Sequence, residues 1–130
     1  MSKPDILSGF NNHLNELLEA LISIIPDNSD LKAAQISLTT LRKANPRIVI
    51  PIWKSYVLDK YEDNIMAGNI EYFLEKDYTE DVKDTGNAKT ILDKINVVKN
   101  TIKDLDKDNL EKTILYLQNL TKLCKLYYSS

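Results

Sequence analysis

The densest concentration of reactive side chains in the sequence is acidic. From Glu71 to Asp84, the carboxylates of Glu71, Glu75, Asp77, Glu80, Asp81 and Asp84 face only Lys76 and Lys83, a local charge of −4. Carboxylates grouped in this way offer hard oxygen ligands to a divalent cation, or an acid–base pair for hydrolysis. A carboxylate-dependent metal enzyme would centre on Asp77, Glu80 and Asp81. The calcium-loop pattern is not met. A loop begun at Asp77 puts Val82 where the sharp turn needs glycine and Ala88 where a bidentate glutamate closes the cage, and one begun at Asp104 puts Asn109 and Leu115 there. The bland alternative for the run EKDYTEDVKDTGN is a solvated loop.

The other chemical candidates each lack a member. Gly86-Asn87-Ala88-Lys89-Thr90 could present amides and an ammonium to an anion, but the phosphate-loop pattern needs a second glycine directly before the lysine and a preceding strand. The simpler reading is a turn with Asn87 capping a helix. His13 has no thiol or hydroxyl at a spacing that suggests a relay. Cys124 falls on the apolar stripe of a helix, where it reads as a small hydrophobe rather than a nucleophile. No complete metal-ligand set and no cofactor motif is present in the sequence, and with one His and one Cys a zinc site within the chain is not expected.

Two binding surfaces are suggested instead. Lys89, Lys94, Lys99 and Lys103, opposed in that span only by Asp93, carry +3 and could engage nucleic acid together with Lys122 and Lys125; their spacings of five, five and four also suit a wet outer helix face. Six of the ten aromatic residues, Trp53, Tyr56, Tyr61, Tyr72, Phe73 and Tyr78, fall within 26 positions beside the acidic run. They form either the packed centre of the domain or, with Trp53, Tyr56, Tyr72, Asp77, Tyr78 and Asp81 at its heart, a partner-binding surface of amphipathic rings and carboxylates.

The elements that must position these residues are helical. Ile6, Leu7, Phe10, Leu14, Leu17, Leu18, Leu21, Ile22 and Ile25 recur at spacings of three and four, which predicts a helix from about Pro4 to Ile25, ended by Pro26-Asp27-Asn28. Ser29 or Asp30 caps the next helix, whose stripe is Leu31, Ala34, Leu38 and Leu41. Asn45-Pro46 reads as the start of a third, with Pro51 kinking or restarting it and Gly68 stopping it. The β-branched run from Ile48 to Ile52 makes a strand the competing assignment there. A short helix follows Asn69. After the acidic run over 76–87, two helices over 88–128 read as an antiparallel hairpin. The expected architecture is one all-α domain over 1–130, a compact bundle of five or six helices with a C-terminal antiparallel helical hairpin.

Composition narrows the class. The 130 residues carry 17 basic and 19 acidic side chains, 43% hydrophobic residues, three Gly and one Cys. One globular core is affordable, no internal disulfide can form, and the near-neutral balance gives no general attraction to nucleic acid or an anionic membrane. The polar start and the interrupted stretch Leu14–Ile25 do not read as a signal peptide, and no run reaches the roughly 20 apolar residues of a membrane span. A soluble, intracellular, unsecreted chain is the expectation, which leaves the triplet Asn119-Leu120-Thr121 unglycosylated.

Ala44-Asn45-Pro46-Arg47, Ile52-Trp53-Lys54-Ser55-Tyr56-Val57, Tyr61 with Ile65, and Gly68-Asn69-Ile70-Glu71-Tyr72-Phe73 running into Lys76-Asp77-Tyr78 resemble small uncharacterised proteins of large nucleocytoplasmic DNA viruses of algae and protists. Phe10-Asn11 with Leu14, and Ile22-Ser23-Ile24-Ile25-Pro26, extend the resemblance to about residues 8–82. It brings no catalytic signature. It implies a place in the host cytoplasm, a viral factory or the virion, and a non-enzymatic structural or assembly role with a viral or host protein, or a second copy of the chain, as partner.

Overall fold

The computed structural model describes residues 2–75 and 87–130, and the acidic run, with Asp77, Tyr78, Glu80, Asp81, Asp84 and Gly86, lies outside them. The first helix, α1 (Lys3–Ile24), starts where Ser2 Oγ accepts from the Asp5 amide at 3.3 Å and Pro4 occupies the first turn. The second, α2 (Ser29–Ala44), is capped by Asn28, one residue ahead of the predicted Ser29 or Asp30: its Oδ1 accepts from the amides of Asp30 and Leu31 at 3.0 and 3.1 Å. An amide side chain reaches the N2 and N3 donors as well as a hydroxyl does, which is why the cap shifted within a cluster of equally suitable residues.

The third helix does not begin at Asn45-Pro46 as predicted. Asn45 Oδ1 instead accepts from the Arg47 amide at 3.1 Å in a side-chain turn, and helix resumes only at Ile50. The β-branched Ile48 and Val49 make the intervening residues poor helix formers, and Pro51, which lacks an N–H, fits where that donor has no partner, in the new first turn. No strand forms among the described residues. The rod then runs unbroken through α3 (Ile50–Trp53), a wide π turn (Lys54–Leu58) and α4 (Asp59–Met66). It ends in a Schellman motif: the amides of Gly68 and Asn69 donate to the carbonyls of Ile65 and Asn64, with Gly68 at φ +82°. The short α5 (Glu71–Glu75), α6 (Asn87–Lys103) and α7 (Lys107–Ser129, capped by Asp106) complete the chain. Over the described residues the architecture is an all-α bundle of six helical rods, as the periodicity predicts.

Side-chain contacts fix the arrangement. Gln35 Nε2 donates to Asn15 Oδ1, and Arg42 Nη1 to the Asn11 carbonyl, so α1 and α2 are antiparallel. His13 packs on Tyr116 and Lys3 on Tyr127, so α7 returns along the other flank of α1. The α6 and α7 helices reverse direction across 104–106, yet they pack mainly on other elements: α6 on α2 and α5, and α7 on α1 and α4. The rod over 50–66 is wedged between them, with α3 touching both. The hairpin is therefore an opened one, and the space it leaves holds the core. Phe10, Leu14, Leu17, Leu38, Trp53, Phe73, Ile91 and Ile95 meet there. Buried Thr101, Thr113 and Thr121 satisfy their hydroxyls on the carbonyls four residues back, so they enter the apolar interior without orphan donors.

Candidate functional site

The structure divides the aromatic segment between core and surface. Trp53 is 2% exposed, edge-on to Phe10 at 6.0 Å and tilted against Phe73 at 6.3 Å. Its Nε1 has no hydrogen-bond partner among the described residues, so the indole serves here as a hydrophobic block. Tyr56 is half-buried beneath the Lys60 ammonium, 5.6 Å from its ring centroid. Tyr72 points outward at 58% exposure while the adjacent Phe73, at 1%, points in. On α5 those two neighbours lie about 100° apart, enough to place one ring in the core and one in water. Met66, at 36% exposure, ends the preceding helix, so a thioether and a phenol ring are both accessible on the elements that flank the Gly68 turn. Asp77, Tyr78 and Asp81, the remaining members of the predicted surface, lie outside the described residues.

The four lysines of α6 do not share a wet face. Lys89 and Lys103 are exposed, Lys94 is half-buried against a small apolar cavity lined by Leu14, Trp53, Phe73 and Ile91, and Lys99 is 4% exposed. The expectation of an outer lysine face fails for Lys99 because the spacings of five turn successive lysines around the helix and bring one to the packed side. Lys122 is exposed, and Lys125 is held 2.6 Å from Glu62. That hydrogen-bonded carboxylate raises the Lys125 pKa above its ordinary value.

Cys124 is fully buried on the α7 stripe, its Sγ 3.7 Å from the Ile50 carbonyl. Burial pushes its thiol up to about 12, so it is a neutral core side chain at physiological pH. His13 is half-buried, its ring tilted against Tyr116 at 4.8 Å and its Nδ1 3.4 Å from Glu16, and Nε2 is enclosed without a hydrogen-bond partner among the described residues. Among the described residues no three His, Cys, Asp or Glu side chains converge on a metal position, and no helix is long and apolar enough to cross a membrane.

Sequence reasoning missed a basic end of the bundle. Two hollows adjoin at Ser8, one of about 430 Å³ bordered by Lys3, Arg47 and Tyr127, the other of about 280 Å³ bordered by Asn11, Thr39, Arg42 and Lys43. The signal was available: residues 31–58 hold Lys32, Arg42, Lys43, Arg47 and Lys54 and no acid. Comparison with protein-family models, curated proteins and solved structures gives no match to this chain.

Proposed function

We propose that the chain is a non-enzymatic interaction protein that works through the exposed side of the aromatic segment, with Tyr72 as its anchor. The observation that supports this reading is the solvent exposure of Tyr72, with Met66 also accessible at the end of the preceding helix, a few positions ahead of the acidic run in the sequence. A phenol carries a large apolar area at low conformational cost and a polar tip that can pair across an interface, and methionine adapts to a partner's shape. The neighbouring carboxylates of Glu71 and Glu75, both exposed, favour a partner with a basic rim. On the resemblance to small proteins of large nucleocytoplasmic DNA viruses, we read that role as one in assembly or in the virion, in the host cytoplasm or a viral factory.

The test is a photo-cross-linking residue at position 72, compared with the same residue at position 103, in infected cells. The expected result is a discrete adduct with one virion or assembly protein, or with a second copy of the chain, from position 72 alone. Identical adducts from both positions, or none from position 72 together with a monomer on sizing, would overturn the reading.

A further inference from the structure

The two hollows that meet at Ser8 are lined by cations that have no carboxylate of their own. Arg42, Lys43, Arg47 and Lys3 form no ion pair among the described residues. The carboxylate nearest in sequence, Asp5, is occupied by the Ser2 hydroxyl at 2.7 Å, and with it counted the patch carries 4 − 1 = +3. On α2 the last acid is Asp30, near the far end of the helix, so nothing along that helix offsets Arg42 and Lys43.

The patch is also built rather than merely charged. Asn11, 7% exposed, donates through Nδ2 to the Pro46 carbonyl at 2.8 Å and so ties the connector carrying Arg47 to α1. Arg42 Nη1 donates to the Asn11 backbone carbonyl at 2.7 Å, which anchors a half-buried guanidinium at the border of the second hollow and leaves it further N–H donors. Asn45 Oδ1 fixes the Arg47 amide at 3.1 Å. The connector therefore stays in place before any ligand arrives, and a ligand need not bear the cost of ordering it. Cations at a helix C-terminus also complement its dipole, which accounts for Arg42 and Lys43 at the end of α2. It does not account for Lys3 and Arg47, which lie on other elements.

We propose that this end of the bundle is a binding site for a compact, multiply phosphorylated small molecule, with Arg47 and Lys3 gripping one phosphate group and Arg42 and Lys43 a second, on either side of Ser8. Two guanidiniums with planar donor forks suit phosphate oxygens, and hydroxyl and amide donors from Ser8, Asn12 and Thr39 are at hand. The span is short: both hollows share one serine. An extended nucleic acid would need basic surface continuing beyond them, whereas the chain's net charge is −2.

The test uses the full chain with inorganic tripolyphosphate and inositol hexakisphosphate as probes, read by calorimetry and by chemical shifts, against a single-stranded oligonucleotide. The expected outcome is saturable binding of one equivalent, with shifts confined to Ser8, Thr39 and the connector over 45–49. R47Q and K3Q, both at exposed positions where folding should persist, should each weaken binding on the order of tenfold, and K103Q should leave it unchanged. Absence of binding to either probe at low salt, equal loss with K103Q, or tighter binding of the oligonucleotide would each overturn the proposal. The site does not involve Tyr72, so its failure leaves the cross-linking outcome at position 72 untouched.

Discussion

The Lys54 ammonium lies 3.2 and 3.1 Å from the two oxygens of Asp59, five residues further along the same rod. In a regular α-helix such residues are about 140° apart; the π turn from Lys54 to Leu58 brings them onto one side. Both partners are substantially exposed, and Lys54 also sits 5.4 Å above the Tyr128 ring. The pair follows from the wide turn and does not enforce it. Lys54→Ala should therefore cost less than about 1 kcal/mol in urea unfolding, with the loss shrinking at high salt. A cost above about 2 kcal/mol would mean that the pair itself holds the turn open.

Trp53 is the one tryptophan of the chain and sits among Phe10, Phe73 and the small cavity beside Lys94. Its fluorescence should be that of a buried indole, shifted to the blue and resistant to iodide until the protein unfolds. Trp53→Ala should cost about 3–5 kcal/mol by leaving a large void. Tyr72→Ser, nineteen positions on, should stay within about 0.5 kcal/mol because that ring is mostly in water already. Comparable losses at the two positions would contradict the division of the aromatic segment into core and surface.

That division marks the limit of what periodicity could supply. Spacings of three and four identified the helices, and Gly68 and Pro26 located real breaks, because these signals are local. The helix starts at Ile50, where Pro51 offered a restart, and not at Asn45-Pro46, because Asn45-Pro46 satisfies an N-cap pattern and a side-chain turn equally well and the choice falls to the burial of Val49 and Ile50. Which of Trp53 and Tyr56 would be covered depended on the wedge of the rod between α6 and α7, and the exposure of Tyr72 on how α5 seats against α4 and α6, both non-local facts. Lys99 shows the same limit: its charge suggested solvent, and packing decided otherwise. The basic hollows were legible as an acid-free stretch in the sequence, but only the fold joins Lys3 to Arg47 across the end of the bundle.

Cys124 gives a prediction in pH. Its thiol ionises near 9.0 when free of the fold and is pushed up to about 12 by burial in it. Below pH 9 the group is protonated in both states and its burial is fully stabilising. Above pH 9 the unfolded chain releases the proton that the folded one retains, so stability should fall as pH rises from 9 toward 12. Cys124→Ala should flatten that part of the profile while lowering stability at neutral pH. A thiol reagent at pH 8 should label the native chain only at the rate of unfolding. Rapid stoichiometric labelling without unfolding would contradict the buried position.

Two glycines should respond to alanine with opposite sign. Gly68 has nothing within 4 Å of an added Cβ, yet its φ of +82° lies where an L side chain meets its own backbone. Gly68→Ala should therefore destabilise by about 1 kcal/mol through backbone strain alone. Gly9 lies inside α1, where an added Cβ would meet Leu123 Cδ2 at 3.8 Å, an ordinary van der Waals distance. Gly9→Ala should stabilise by up to about 1 kcal/mol, because alanine loses less conformational freedom in a helix and the new methyl adds a contact between α1 and α7. Thermal unfolding of the two variants beside the parent checks both. A destabilised Gly9→Ala would mean that α1 and α7 approach more closely than 3.8 Å allows, and a neutral Gly68→Ala would mean that the Schellman turn relaxes without cost.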